Sequence, residues 1–265
     1  MIQRCEGFLQ VPDGEDIWYE TAGTGPALIL SHGLSGNAAA WFQQVPYFAR
    51  EFQIITWDQR GFGRSTNRTR QHGIDAAVAD QCAVLDHLDI DHAYVIGHSM
   101  GGWVAVGTAL ADPSRVLALV LACTTAGLPP THPRPHHRRR PAIGPSSLGV
   151  HPAIAKTFSS ANPELAYLFQ ALGSFGNRPS NEEFRNIMSS YQFAEDALTA
   201  LTMPVTFLCG EVDPIMPPAA VRDVATRIPG ADVVEVAGAG HSAYFEQPEV
   251  WNRTVRGFIR GPSRS

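Results

Sequence analysis

Lysine is almost missing from this chain. Lys156 is the single one among 265 residues, and arginine supplies every other basic side chain. Schiff-base chemistry would rest on that one candidate, which sits in a helical surface pattern. Cysteine is scarce too: Cys5, Cys82, Cys123 and Cys209 lie far apart, and no C-x-x-C spacing occurs. They read as buried free thiols of a reducing compartment rather than as disulfides, and a cytoplasmic location is the expectation. No apolar run approaches the roughly 20 residues that a membrane helix needs. The start, "MIQRCEGFLQVPDGED", carries a charge by residue 4 and lacks the apolar core of a secretory leader. An excess of positive charge is also missing. The net charge is -5 and the sequence pI is near 6.0, so no nucleic-acid partner is expected.

What is present is ordinary globular material, 44% hydrophobic and 17% charged. That fits one large domain, or one domain carrying an insertion. Short β-rich runs alternate with helical patterns. "GFLQV" (7–11) and "DIWYETA" (16–22) read as a hairpin. "ALILS" (27–31), "QIITW" (53–57), "AYVIG" (93–97), "VLALVLA" (116–122), "VTFLCG" (205–210) and "DVVEVA" (232–237) read as buried strands. Helical spacing covers 39–49, 74–88, 100–111, 218–228 and 248–259. Continuous apolar strands between helices imply an α/β domain of three layers: a mostly parallel central sheet of about eight strands with helices on both faces.

The alternation breaks between about 127 and 200. "LPPTHPRPHHRRRPAIGPSS" is dense in proline, arginine and histidine and suits neither helix nor strand. Its histidines His132, His136 and His137 read as solvated loop rather than metal ligands, and Arg138–Arg140 likewise. Three helices are expected after it, over 152–158, 163–172 (Asn162 as N-cap, Pro163 in the first turn) and 181–193. The expectation is a helical cap over 127–200 inserted into a core of 1–126 and 201–265, covering the carboxyl ends of the strands.

Ser99 lies in "GHSMG" (97–101), a G-x-S-x-G pattern between a strand and a helix. That setting gives the pattern its meaning: a strand reversing into a helix strains the serine backbone and exposes its hydroxyl. Gly97 and Gly101 remove side chains where strand and helix approach. A serine hydroxyl is a weak nucleophile without a base, usually histidine. His241 follows the last strand through the glycine-rich "GAGH" and is the favoured base. His98 is adjacent to the serine and is expected to point away; His32 is expected to shape its own loop. The orienting carboxylate is expected at Asp213 in "GEVDPIMP", with Glu211 as competitor. Asp58 and Arg60 in "DQRGFGRS" are read as a structural pair bracing their loop.

The stretches "SHGLSGN" (31–37), "DQRGFGRS" (58–65), "GHSMGG" (97–102), "GEVDPI" and "GAGHSAYFEQP" carry a resemblance. The chain resembles the α/β-hydrolase fold superfamily, as a serine-nucleophile esterase- or lactonase-like member with a helical cap, and the likeness covers nearly all of it outside 127–200. It implies a triad in the order Ser99, Asp213, His241. It also implies an oxyanion hole built from the backbone N–H groups of Leu34 and Met100. It implies two-step acyl transfer with no metal and no organic cofactor.

A carboxylic ester or lactone of small to medium apolar size is the expected substrate, with Trp103, Leu168, Phe169 and Met188 as candidate pocket residues. Trp103 also suits a place in the core. Monomer or homodimer are both open. Two alternatives stand beside this reading. One is a hydrolase of carbon–carbon bonds in vinylogous diketones; those relatives typically have an asparagine before the serine, a tryptophan two residues after the histidine, and a cap arginine. This chain has His98 and Ala243 in the first two places, and Arg185 could be the third. The other is a triad-containing small-molecule receptor of the same fold.

Overall fold

The computed structural model describes residues 2–34, 36–71, 73–128, 131, 148–180, 182–183, 187 and 193–261. One sheet of eight strands runs in the order β1-β2-β4-β3-β5-β6-β7-β8. β1 (Arg4–Gln10) and β2 (Asp16–Ala22) form the antiparallel hairpin, and β2 lies antiparallel to β4 (Gln53–Trp57). β3 (Ala27–Ser31), β5 (Ala93–His98), β6 (Val116–Ala122), β7 (Val205–Gly210) and β8 (Asp232–Val236) continue it in parallel.

Alternation along each strand sends side chains to two separate cores. Ile29, Ile55, Val95, Leu119 and Phe207 pack on one face, against α2 (Ile74–His87), α3 (Met100–Ala111) and a helix at Pro218–Ala225. Leu28, Leu30, Ile54, Ile96, Val120 and Leu208 pack on the other, against α1 (Val45–Phe48) and the C-terminal helix Pro248–Arg260. Both faces are therefore covered, which is why β3 and β7 are buried at every position. Among the described residues, no helix is long and apolar enough to cross a membrane.

Several elements differ from their expected form. The helix expected over 39–49 is two pieces, a 3-10 turn at Ala38–Trp41 and the single turn α1. Pro46 opens α1 and cannot donate into a helix running through it. The helix expected from 152 starts only at Lys156, as α4 (Lys156–Ala161): Ala155 is extended, with ψ 141°, and its N–H donates to the buried Glu246 carboxylate at 2.9 Å. Asn162 does precede α5 (Pro163–Leu172), but its side chain makes no capping bond. Its amide donates back to the Phe158 carbonyl at 3.3 Å and closes α4. Of the helix expected at 181–193, Glu182, Glu183 and Ile187 are helical. Phe184, Arg185 and Met188 lie outside the described residues, as do His132, His136, His137 and Arg138–Arg140. Cys123 and Cys209 are buried, Cys82 is half-buried and Cys5 is exposed; all four are free thiols.

Candidate functional site

The carboxyl ends of β3, β5, β7 and β8 meet at one place. β5 ends at His98, and Ser99 turns the chain into α3 with φ 52° and ψ -116°. A left-handed φ is costly for a residue with a side chain, so the surroundings must impose it. They do so through close approach. A Cβ at Gly97 would stand 2.2 Å from the Gly101 carbonyl oxygen, and one at Gly101 would stand 2.2 Å from the Ser31 carbonyl oxygen. Only glycine lets β3, β5 and α3 come together this tightly. The Ser99 N–H donates to the Ala122 carbonyl at 2.8 Å, which fixes the turn to β6.

Ser99 Oγ lies 2.9 Å from His241 Nε2, and His241 Nδ1 lies 2.8 Å from Asp213 Oδ2. Asp213 accepts with its other oxygen from the Ile215 and Met216 N–H groups, at 2.7 and 2.9 Å. A carboxylate held on both oxygens has one orientation. It therefore receives the His241 Nδ1–H and leaves Nε2 free to accept from the serine hydroxyl. Glu211 takes no part: it is exposed and its carboxylate accepts the Gly238 N–H at 2.8 Å.

His98 and His32 are both buried and neutral. His98 Nε2–H donates to the His241 carbonyl at 2.8 Å, and burial pulls its pKa down to about 3. His32 donates from Nδ1 to the Gly33 carbonyl at 2.8 Å and accepts the Gln59 N–H on Nε2 at 3.0 Å. Burial lowers its pKa as well. Each histidine thus holds a loop of the site by its backbone. Asp58 and Arg60 do not pair with each other. Asp58 accepts the Ala38 and Arg64 N–H groups at 2.7 and 2.8 Å. Arg60 forks onto Asp80 at 2.9 and 2.7 Å and also reaches Asp13. Charge separation in the buried Arg60–Asp80 pair explains the split: each ion needs a full partner, and Asp58 is already spent on backbone donors.

Glu246 was not singled out in the sequence and is central here. Buried, it accepts the N–H groups of Gly240 and Ser242, which flank His241, and of Ala155. Desolvation pushes its pKa up, against the pull of those donors. A carboxylate five residues past the candidate base, just before Pro248, was the available signal. Cys123 lies within 4.8 Å of His98 and His241. Burial raises its thiol well above the ordinary range, so it stays protonated and unreactive. These three could in principle face one metal ion, but both nitrogens of His241 already hold Asp213 and Ser99.

A cavity of about 1030 Å³ opens above the site. Gly33, Leu34, His98, His241 and Phe169 line it, with Phe169 contributed by α5. Leu34 N–H sits in the loop just after β3, and Met100 N–H opens α3 with no helical carbonyl to serve. Leu168 lines a different hollow, and Trp103 is buried in the core beside Gly127. Neither lines the cavity. For Leu168 the reason is helical phase: one residue from Phe169, it points about 100° away.

Comparison with known proteins adds the following. A family model described as alpha/beta hydrolase fold matches residues 26–146, and one described as TAP-like protein matches residues 186–264. A relative from Azorhizobium caulinodans named for carbamate hydrolysis is 27% identical over 256 residues, 92% of this chain and 94% of its own. A 3-oxoadipate enol-lactonase of Acinetobacter baylyi is 28% identical over 243 residues, 89% of each chain. The solved structure of a thermophilic esterase from Thermogutta terrifontis is similar with a TM-score of 0.81 and 27% identity, covering 97% of this chain and 98% of that one.

Proposed function

The chain belongs to the α/β-hydrolase superfamily, and from that premise we propose that it is a serine hydrolase of carboxylic esters or lactones. The observation that carries this reading is the unbroken relay from Ser99 Oγ through His241 to Asp213, at 2.9 and 2.8 Å, with Ser99 part-exposed beside the cavity. His241 Nε2 takes the hydroxyl proton as Ser99 attacks the carbonyl carbon. The oxyanion is held by the Leu34 and Met100 N–H groups, each worth about 2.7–4 kcal/mol in such a role. The protonated His241, steadied by Asp213, returns the proton to the leaving alkoxide. Water then enters, gives a proton to His241 as it attacks the acyl carbon, and His241 passes that proton to Ser99 Oγ as the acid leaves. Every proton and electron pair is accounted for without a metal or an organic cofactor.

Apolar lining from Leu34, Ala40 and Phe169 supports a small to medium apolar substrate. The names of the lactonase and esterase relatives point the same way. Residues 127–200 are assigned as a cap on a core of 1–126 and 201–265; α5, which lies between β6 and β7 in the chain, walls the cavity. The test is a panel of nitrophenyl esters, lactones and carbamates with Ser99→Ala beside the native chain. The variant is expected to lose about 10⁵–10⁶-fold in kcat. Turnover retained in Ser99→Ala removes the assignment, and a preference for carbamates over esters replaces the substrate class.

A further inference from the structure

A second hollow, of about 440 Å³, is also lined by α5, at Leu168 and Leu172. That volume falls within the range of small-molecule sites. Its walls are the apolar side chains Phe42, Val45, Pro46 and Leu168, together with Ala38 and Ala39 of the 3-10 turn. Its polar wall is Glu20 and Thr56, which stand opposite each other on β2 and β4. Glu20 is already paired with Arg4 at 2.7 Å.

The two hollows share one residue, Leu172, which lines both. It is the last residue of α5, and Gly173 follows it at the helix end. Its carbonyl is tied to the Asn37 side-chain amide at 2.8 Å, so the backbone is fixed while the isobutyl group retains its rotamers. Asn37 belongs to the stretch that runs from Leu34 in the main cavity to Ala38 and Ala39 in the second hollow. The hollow is open to solvent at Phe42, which is 40% exposed, so hydrocarbon entering it would bury apolar surface. Leu172, which lines both this hollow and the cavity above Ser99, is the link that points to the occupant.

We propose that this hollow is a subsite for the end of a hydrocarbon chain on the substrate, and that Leu172 is the gate that decides whether a chain reaches it. The proposal rests on the serine hydrolase reading and sharpens its substrate class to esters or lactones bearing a medium-length alkyl or acyl chain. Short chains stay within the first cavity. Longer ones pass Leu172 once its side chain rotates and lie along Leu168 and Phe42.

The experiment compares kcat/KM for nitrophenyl acetate, hexanoate and decanoate across three proteins: the native chain, Leu172→Ala and Leu168→Trp. The quantity read is the decanoate-to-acetate ratio, so that a general change in activity cancels. Removing the gate should raise the ratio about tenfold, and filling the hollow with an indole should lower it about tenfold, the scale of discrimination typical of apolar pockets. Thermal melting identifies a variant that has failed to fold, and the opposite sign expected of the other variant still decides the matter. Ratios within twofold of native in a folded variant overturn the subsite while leaving the hydrolase reading intact. A native chain that cleaves neither these three esters nor the lactones of the earlier panel overturns both.

Discussion

His98 is adjacent in sequence to Ser99, the proposed nucleophile, and still cannot be its base. Its Nε2–H is spent on the His241 carbonyl, and its ring lies against the Gly33 backbone, where a Cβ would come within 2.6 Å of Nδ1. In a strand, neighbouring side chains point to opposite faces, so His98 is turned from Ser99, although, against expectation, it still lines the cavity. The turn from Ser99 was legible from position alone. What was not legible is that the displaced ring pins His241, the proposed base, by its backbone. Burial leaves a signature in pH dependence. The folded pKa is about 3, against roughly 6.5 for an unfolded histidine. Stability from this group is therefore complete above pH 6.5. It declines by up to about 1.4 kcal/mol per pH unit as the unfolded chain takes up a proton that the folded one refuses. His32 is lowered too and acts in the same sense. Glu246 and Asp80, raised by burial, act in the opposite sense. Comparison with His98→Gln isolates the one histidine, since the glutamine amide nitrogen reaches about where Nε2 stands and can still donate to the carbonyl but cannot titrate. Between pH 7 and pH 5 the native chain should lose about 2 kcal/mol more than the variant in urea unfolding. Parallel curves would show that His98 does not titrate as described.

At the level of elements, glycine carries opposite meanings in two helices. Gly101 lies in the first turn of α3 with the Ser31 carbonyl 2.2 Å from any added Cβ, and backbone cannot yield as a flexible side chain can. Gly257 lies on the exposed face of the C-terminal helix, where an added Cβ would meet nothing within 4 Å. Gly101→Ala should destabilise by about 3 kcal/mol or more, since it forces α3 off β3. Gly257→Ala should stabilise by about 0.5–1 kcal/mol, because alanine surrenders less backbone entropy. Urea midpoints of the two variants check both signs; a stabilising Gly101→Ala would mean that the elbow is looser than its contacts imply. The same contrast explains what the sequence could specify. G-x-S-x-G between a strand and a helix is local, so the elbow could be read directly. The break in the 39–49 helix was partly local, since Pro46 is visible there. The tie just before α4 was not, because the group that captures the Ala155 N–H lies 91 residues further along.

For the whole molecule, the sheet and the segment between β6 and β7 follow different rules. Sheet strands announce themselves as short apolar runs, and parallel order with right-handed crossovers follows from few choices. The helices α4 and α5 are held instead by polar bonds between residues far apart in the chain, which leave no periodic trace. Glu246 holds Ala155 at one end. At the other, Asn37 holds Leu172, and Asn177 exchanges backbone bonds with Gly63 at 3.0 and 2.6 Å. Gly176, with φ 77°, allows that last approach, for a Cβ there would strike the Gly63 carbonyl oxygen at 2.0 Å. With α4 and α5 tied at both ends, α5 forms a fixed wall of the cavity rather than a freely swinging lid. A bond to a charged acceptor contributes about 1.5–3 kcal/mol and a neutral one about 1. Glu246→Gln removes the charge behind the bonds to Ala155, Gly240 and Ser242, and Asn37→Ala removes the bond to Leu172; together they should speed amide exchange over residues 156–172 at least about tenfold. Exchange in β3, β5 and β6 should stay as it was, and kcat/KM should fall through misplacement of the loop carrying His241. Acceleration spread evenly over the sheet would mean that the helices and the sheet open together as one cooperative unit. Unchanged exchange throughout would mean that apolar contacts of Phe158 and Phe169 with Phe245, at ring separations of 6.1 and 5.0 Å, suffice to hold the wall.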